Sequence, residues 1–158
     1  MKTRISAWLV AIVCFSGLAS VARADEEKIP LDKVPAKVMK SVKDKFPKAM
    51  ITGAAKEVED GKTTYEVSLK NGEFGIDVSL KEDGTILEIE KAIPVKDLPK
   101  AVADALKAKY PKGTIKTAEE LTSGATISYE VVVELEGKKP FEVVLDPTGK
   151  ILKDEGKE

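Results

Sequence analysis

Residues 65–80 read Tyr-Glu-Val-Ser-Leu-Lys-Asn-Gly-Glu-Phe-Gly-Ile-Asp-Val-Ser-Leu, and this stretch decides the fold. Apolar and polar side chains alternate on both sides of Asn71-Gly72, a dipeptide that is typical of tight turns. The stretch therefore predicts an antiparallel hairpin of two half-buried strands. The tyrosine, valines and leucines belong to its inner side, and Glu66 belongs to the side that faces solvent.

The hairpin is part of an internal duplication. Tyr65-Glu66-Val67 recurs as Tyr129-Glu130-Val131 at an offset of 64 residues. The offset becomes 65 further along, where Gly84 matches Gly149, so the second copy contains one inserted residue. We predict two tandem units of the same supersecondary pattern, one in residues 25–91 and one in residues 92–158.

An amphipathic helix precedes the hairpin in each copy. Apolar residues recur about every fourth position, with lysines on the other faces, at Val34, Val38, Val42 and Phe46 and at Leu98, Val102, Leu106 and Tyr110. A proline in the first turn and another after the last turn limit each helix to about three turns. Each unit is thus predicted to contain one helix packed on an antiparallel sheet of about four strands. The fold class is α+β, with the opposite face of each sheet open to solvent.

The first 24 residues have the features of a secretory signal peptide. Lys2 and Arg4 precede an apolar run, and Ala22-Arg23-Ala24 satisfies the small-x-small rule for cleavage. The apolar run is shorter than the ~20 residues that a membrane-spanning helix needs. We predict a mature chain that begins at Asp25, is periplasmic or secreted, and has no membrane segment after cleavage.

Composition removes several classes of function. The chain has no His, and its single Cys, Cys14, lies in the leader, so the mature chain lacks the usual general base, a thiol nucleophile and common zinc ligands. We predict no catalytic residue, no cofactor and no metal site. Cleavage would leave 23 basic and 27 acidic residues, a balance that disfavours nucleic acid as a partner.

Paired carboxylates are the remaining route to catalysis. Glu66 and Asp77 are predicted on the outer face of the first copy, and Glu130, Glu134 and Glu142 on that of the second. We expect these acids to be exposed and flanked by lysines, and so to lack the burial that raises a carboxyl pKa. The prediction is a protein that is not an enzyme, with a hydrolase using Glu66 and Asp77 as an alternative.

The outer faces of the two copies differ in polarity. Ser68 and Ser79 of the first copy are matched by Val132 and Val144 of the second, so two polar positions have become apolar. An apolar centre with a charged rim is typical of protein interfaces, whereas valine also suits a strand for structural reasons alone. The candidate partner-binding residues are Glu66, Glu130, Val132, Glu142 and Val144.

The combined motifs resemble the PepSY-like family, in its β-lactamase-inhibitor-like branch. The resemblance rests on Pro-x-x-Val-x-x-x-Val-x-x-x-Phe-Pro-x-Ala in 35–49, Asp-Gly-Lys-x-x-Tyr-Glu-Val in 60–67 and Asp-Gly-x-Ile-Leu in 83–87. The second copy departs at Gly113, where the first has Ala49, and lacks the Asp-Gly turn before its tyrosine. The resemblance implies an exported, non-enzymatic protein of tandem repeats that offers a concave sheet face to an enzyme. It supplies no catalytic residues and no inhibitory loop.

Our leading hypothesis is a protein-binding module that inhibits or modulates an envelope hydrolase or peptidase through the solvent-facing sheet. The alternative is a periplasmic carrier or sensor of a small ligand, with an apolar cleft between the two repeats. A monomer is expected, because Lys138-Lys139-Pro140 is predicted to protect a strand edge from pairing with another chain.

Overall fold

The computed structural model describes residues 27–59 and 61–156. The predicted signal peptide and Asp60 lie outside these residues. No helix in the described part of the chain is long and apolar enough to cross a membrane.

Nine strands and two helices make up the described fold. The helices are α1 (Ala36–Lys45) and α2 (Lys100–Lys109), each preceded by a single 3₁₀ turn. The strands are β1 (Glu27–Lys28), β2 (Met50–Glu59), β3 (Lys62–Asn71), β4 (Phe74–Lys81), β5 (Ile86–Ile93), β6 (Thr114–Ser123), β7 (Thr126–Glu134), β8 (Phe141–Leu145) and β9 (Ile151–Asp154). All nine form one antiparallel sheet in chain order, so the molecule is an α+β protein.

Both helices begin after a proline and end before one, as the sequence predicts. Pro35 and Pro99 adopt extended backbone conformations at the N-caps of α1 and α2. Val38 and Val42 of α1 are buried against the inner side chains of β3 and β4, and Val102 and Leu106 of α2 occupy the same positions over β7 and β8. Tyr65 and Tyr129 are buried in these two cores, in agreement with their predicted structural role.

The two repeats share a continuous sheet and do not dock as separate layers. Ala92 and Ile93, the first residues of the predicted second unit, belong to β5 and pair with Glu119 and Ala118 of β6. The predicted start of the second unit therefore lies inside the strand Ile86–Ile93. Backbone hydrogen bonds between β5 and β6 therefore close the seam where an apolar cleft between the repeats was expected.

The strand register places both helices on the same side of the sheet. Val78 lies opposite Ile89, and Ile93 lies opposite Ala118, which in turn lies opposite Val131. Because side chains alternate across a strand, the residues between these positions point to the other side. We call that side the open face, since no described element covers it.

The edges of the sheet are short strands. β1 has 2 residues and β9 has 4, and β1 pairs only with Ala55 and Lys56 of β2, so most of the outer side of β2 has no strand partner among the described residues. Lys138 lies in the turn between β7 and β8, where its N–H donates to Leu135 O. The predicted role of Lys138-Lys139-Pro140 in protecting an edge was therefore wrong, because neither β7 nor β8 is an edge strand.

Candidate binding surface

All five predicted binding residues lie on the open face, but only four are close together. Glu130 of β7 is directly opposite Val144 of β8, and Val132 is directly opposite Glu142. The two valines are diagonal neighbours, and both are half-buried. Glu66 stands on β3, with three strands between it and β7. The structure thus separates the predicted set into a compact patch on the second repeat and one distant carboxylate.

A row of carboxylates crosses the open face and joins these two parts. The register gives every strand from β3 to β8 at least one acidic side chain on this face: Glu66, Asp77, Glu88, Glu90, Glu119, Glu130 and Glu142. Sequence reasoning missed the middle of this row. Glu88 and Glu90 alternate with Ile89, a signal that was available, but the predicted outer-face acids of the first copy were only Glu66 and Asp77.

Four of these carboxylates form two directly opposed pairs. Asp77 of β4 faces Glu90 of β5, and Glu119 of β6 faces Glu130 of β7. Side chains directly opposite on antiparallel strands have Cβ atoms about 4.5–5.5 Å apart, and like charges in such positions repel. The arrangement therefore works against the stability of the sheet at pH values where all four groups ionise.

Glu90 is the most buried member of the row. Its relative exposure is 8%, although no described element covers the open face. Within the described residues it takes part in no ion pair and no side-chain hydrogen bond. Burial, followed by the charges of Glu119, Glu130, Glu88 and Glu66, raises the pKa of Glu90 to about 9. In the folded protein Glu90 therefore holds a proton at neutral pH.

The neighbouring acids are perturbed in the same direction. Burial, then the charges of Glu142 and Glu119, raises the pKa of Glu130 to about 7, with Lys153 acting in the opposite sense. Burial is also the largest cause of the raised pKa of Asp77, Glu119, Glu88 and Glu142. The expectation that these acids lack the burial needed to shift a pKa was wrong, because side chains on adjacent strands shield one another.

The two sides of the sheet differ in where their charges lie. On the open face, lysines stand around the acidic row: the register puts Lys28, Lys62, Lys70, Lys81 and Lys153 on this side, and Lys116 contacts Glu134 at 3.0 Å. Lys153 also contacts Glu155 at 2.7 Å. The helices on the other side each carry more lysines than aspartates in their sequences. Acidic side chains therefore dominate only the middle of the open face, where Glu90 and Glu119 lie.

A groove beside the first strands has room for a small molecule. One groove of about 380 Å³ runs along β1, β2 and β3 and includes Lys28, Gly53, Glu66 and Ser68 in its lining. It lies within the first repeat and is largely polar, so it differs from the apolar inter-repeat cleft that a carrier was expected to use. No cluster of metal-binding side chains occurs among the described residues.

The aspartates next to turn glycines have structural partners. Asp83 Oδ1 accepts the N–H of Thr85 at 2.9 Å, and Asp146 Oδ1 accepts the N–H groups of Thr148 and Lys150. These hydrogen bonds stabilise the β4–β5 and β8–β9 turns. Turn formation accounts for both residues.

Comparison with known proteins gives a family match in both repeats. A family model described as "Putative beta-lactamase-inhibitor-like, PepSY-like" matches residues 21–88 and 75–153. No curated protein matches the chain.

Several solved structures share the fold at low sequence identity. A structure of "putative periplasmic proteins" from Bacteroides eggerthii has a TM-score of 0.65 and 18% identity, covering 76% of this chain and 86% of that one. A DUF2874 family protein from Bacteroides uniformis has a TM-score of 0.64 and 20% identity, covering 75% and 86%. A BLIP-like protein from Bacteroides fragilis has a TM-score of 0.59 and 18% identity, covering 75% and 84%. The description of the first agrees with the periplasmic or secreted location predicted from the sequence.

Proposed function

Since the chain belongs to the β-lactamase-inhibitor-like PepSY-like family, we propose that it is an exported, non-enzymatic module that binds an envelope protein through the open face. The bound protein is proposed to be a hydrolase or peptidase, whose activity the module inhibits or modulates. The supporting observation is an uncovered sheet face that holds half-buried acids next to Val132 and Val144.

The proposed contact residues are Glu66, Glu130, Val132, Glu142 and Val144. Within this set the valines supply apolar area, and Glu130 and Glu142 surround them, because each valine lies directly opposite a glutamate. Interfaces commonly combine such an apolar centre with a charged rim. The alternative interpretation is that the two valines only suit the strand. In that case, replacing them by serine should leave partner capture unchanged.

The first prediction uses the duplication itself as a guide. Replacing Val132 and Val144 together by serine gives the second repeat the residues that the first repeat has at Ser68 and Ser79. We expect at least about tenfold weaker capture of the envelope partner, because two central apolar contacts are lost. Immobilised protein would be exposed to native envelope extract, and the retained protein would be identified by mass spectrometry and its affinity then measured.

The matched control replaces Lys37 and Lys107 by serine on the helix side of the molecule, where both side chains are exposed. This control should bind the partner like the wild type. Unfolding midpoints in urea must be compared for all three proteins. The proposed surface would be overturned if the helix variant lost capture and the valine variant kept it. Binding would then be assigned to the helix side of the sheet.

The alternative function is a small-ligand carrier or sensor. With the β5–β6 seam closed, such a ligand would occupy the groove beside Lys28 and Glu66. Binding to the folded state raises the unfolding temperature by mass action, so a thermal-shift screen of envelope metabolites tests this function. The hydrolase alternative is tested by Glu66→Gln with Asp77→Asn, which must abolish any turnover that depends on those carboxyls.

A further inference from the structure

We infer that the partner presents a basic segment, with a Lys or Arg side chain placed over Glu90 at the β5–β6 seam of the open face. This inference rests on the proposed function, because it assumes that the open face is the binding surface. It adds the chemistry of the partner and moves the centre of the interface from the valine patch to the junction of the two repeats.

The charged groups nearest to Glu90 are all acidic. Asp77 faces it from β4, Glu119 lies diagonally across β6, and Glu88 stands two residues away on β5. Beyond these, Glu66 on β3 and Glu130 on β7 also act on it. Every charged group that faces Glu90 on the open face is therefore a carboxylate, and the site has negative potential with no internal cation.

Glu90 has low exposure and no side-chain partner. Glu90 is 8% exposed and makes no side-chain hydrogen bond or ion pair within the described residues. Carboxyls on residues with this little exposure are normally paired, because partial removal from water without a partner is unfavourable. A cationic group from another protein would supply the missing partner, and it would also reduce the repulsion within the Asp77–Glu90 and Glu119–Glu130 pairs.

Binding of a cation at Glu90 is coupled to the release of protons. A cation placed over Glu90 favours its ionised form, so binding must release protons wherever the free protein still holds them. The raised pKa values of Glu90 and Glu130 place that range around neutral pH and above. Affinity should consequently rise as the pH increases from 6 to 8, and it should fall with added salt.

The choice of guanidinium or ammonium follows from the shape of the site. The paired carboxylates of adjacent strands form a ladder across the sheet, and Arg can donate to two carboxylates at once through its planar fork. A single metal ion fits less well, because the described residues contain no cluster with metal-binding geometry. An extended basic segment directs alternate side chains to one side, so several of its cations can face the acidic row at once.

The test uses octa-arginine as the probe and octa-glutamate as the negative peptide, with the protein purified after export. Amide chemical shifts in NMR spectra would locate the site, and calorimetry in buffers with different ionisation enthalpies would measure proton release. We expect shifts on the open-face strands β4–β7, no shifts on α1 or α2, and net release of protons that diminishes when Glu90 is changed.

The decisive variant is Glu90→Gln with Glu119→Gln, which removes two carboxyls from the seam. Its control is Glu82→Gln with Glu136→Gln, which also replaces two carboxyl groups, at exposed turn positions. We expect the seam variant to bind octa-arginine at least about tenfold more weakly and the turn variant to bind like the wild type. Equal weakening in both variants would mean attraction by overall charge only and would overturn the inference.

Capture of the envelope partner separates this inference from the proposed function. Loss of capture in both the seam variant and the valine variant supports both. Unchanged capture by the seam variant, with loss in the valine variant, overturns the basic-segment inference and leaves the proposed function standing. Failure of all proteins to retain any partner overturns the proposed function.

Two other occupants have distinct signatures. If calcium chloride alone shifted the same NMR signals and displaced octa-arginine, the site would belong to a divalent cation and the inference would fail. If concentrated protein formed polymers through contact of its lysine-bearing helices with the open face, sedimentation would show species that grow with concentration. That outcome would replace the foreign basic segment with a second copy of the chain.

Discussion

At the residue scale, two glycines of the strand turns are held against the helices. Gly84 has a φ of +87° and Gly149 a φ of +86°, in the left-handed region. A Cβ added to Gly149 would lie 2.5 Å from Ala101 O, and one added to Gly84 would lie 2.8 Å from Lys37 O. The equivalence of Gly84 and Gly149 in the two copies identifies a turn from the sequence. It does not reveal that each turn packs on a helix.

This contact gives a prediction for Gly149→Ala. The variant should lose roughly 3 kcal/mol of unfolding free energy, because alanine resists the left-handed conformation and its Cβ overlaps helix backbone. Gly124→Ala is the control, since Gly124 has a φ of +61° and open space around its Cβ position. It should lose only about 1 kcal/mol. Urea unfolding measures both values, and equal losses would show that packing against α2 has no effect.

At the element scale, the last strand is fastened to the second helix by a polar contact. Asp154 at the end of β9 has a side chain that is 2% exposed and forms an ion pair with Lys109. It also accepts hydrogen bonds from Tyr110 Oη at 2.5 Å and from the Gly156 N–H at 3.0 Å. Burial opposes its ionisation, but the donors Lys109, Tyr110 and Gly156 together lower the pKa of Asp154.

The first repeat uses apolar residues at the equivalent positions. Phe46 stands where the second repeat has Tyr110, and Ile89 stands where it has Asp154, as the matching registers of Val78 and Val143 show. Both Phe46 and Ile89 pack on the first core. The difference correlates with location, because β5 is covered on both edges whereas β9 ends the sheet.

The comparison predicts how this contact responds to mutation. Asp154→Asn should destabilise the protein by about 1–2 kcal/mol, because Lys109 and Tyr110 lose a charged acceptor. Tyr110→Phe with Asp154→Ile rebuilds the contact of the first repeat and should remain close to the wild type. Hydrogen exchange at β9 amides and urea unfolding check both variants. A double variant less stable than Asp154→Asn would show that the two contacts are not interchangeable.

The acid limit of stability follows from the same contact. Asp154 has a folded-state pKa below its unfolded value, so its stabilisation is complete above the unfolded pKa and is lost as pH falls through the folded value. The loss should therefore occur below about pH 4. Asp154→Asn should flatten this part of the profile.

At the scale of the whole molecule, local periodicity predicts each element but not which elements are neighbours. The alternation in residues 65–80 was sufficient to place Glu66 and Asp77 outside the core, and Glu130 and Glu142 followed from the duplication. Nothing local brings Glu119 opposite Glu130 or Glu90 beside β6, because these contacts depend on the pairing of β5 with β6. The acidic row is a property of nine strands joined in one sheet, and its burial exists only after that sheet forms.

The raised pKa values of the row predict an unusual dependence of stability on pH. A carboxyl with a folded pKa above its unfolded value favours folding fully below the unfolded pKa, and this contribution declines as pH rises toward the folded pKa. For Glu130 the decline runs from about 4.5 to about 7, and for Glu90 from about 4.5 to about 9. Stability should therefore be greatest near pH 4–5 and should fall continuously up to about pH 9.

Glu90→Gln tests whether the buried carboxyl causes this decline. Glutamine is close in size and cannot ionise, so the variant should be more stable than the wild type at pH 8, by on the order of 2 kcal/mol, and nearly equal to it at pH 4.5. Glu82→Gln, at an exposed turn, should leave the profile unchanged. Thermal unfolding from pH 4 to pH 9 measures all three proteins. If the wild type and Glu90→Gln had parallel profiles, Glu90 would be ionised or solvated in the folded protein. In that case the repulsion that a basic partner is inferred to relieve would not be centred on the β5–β6 seam.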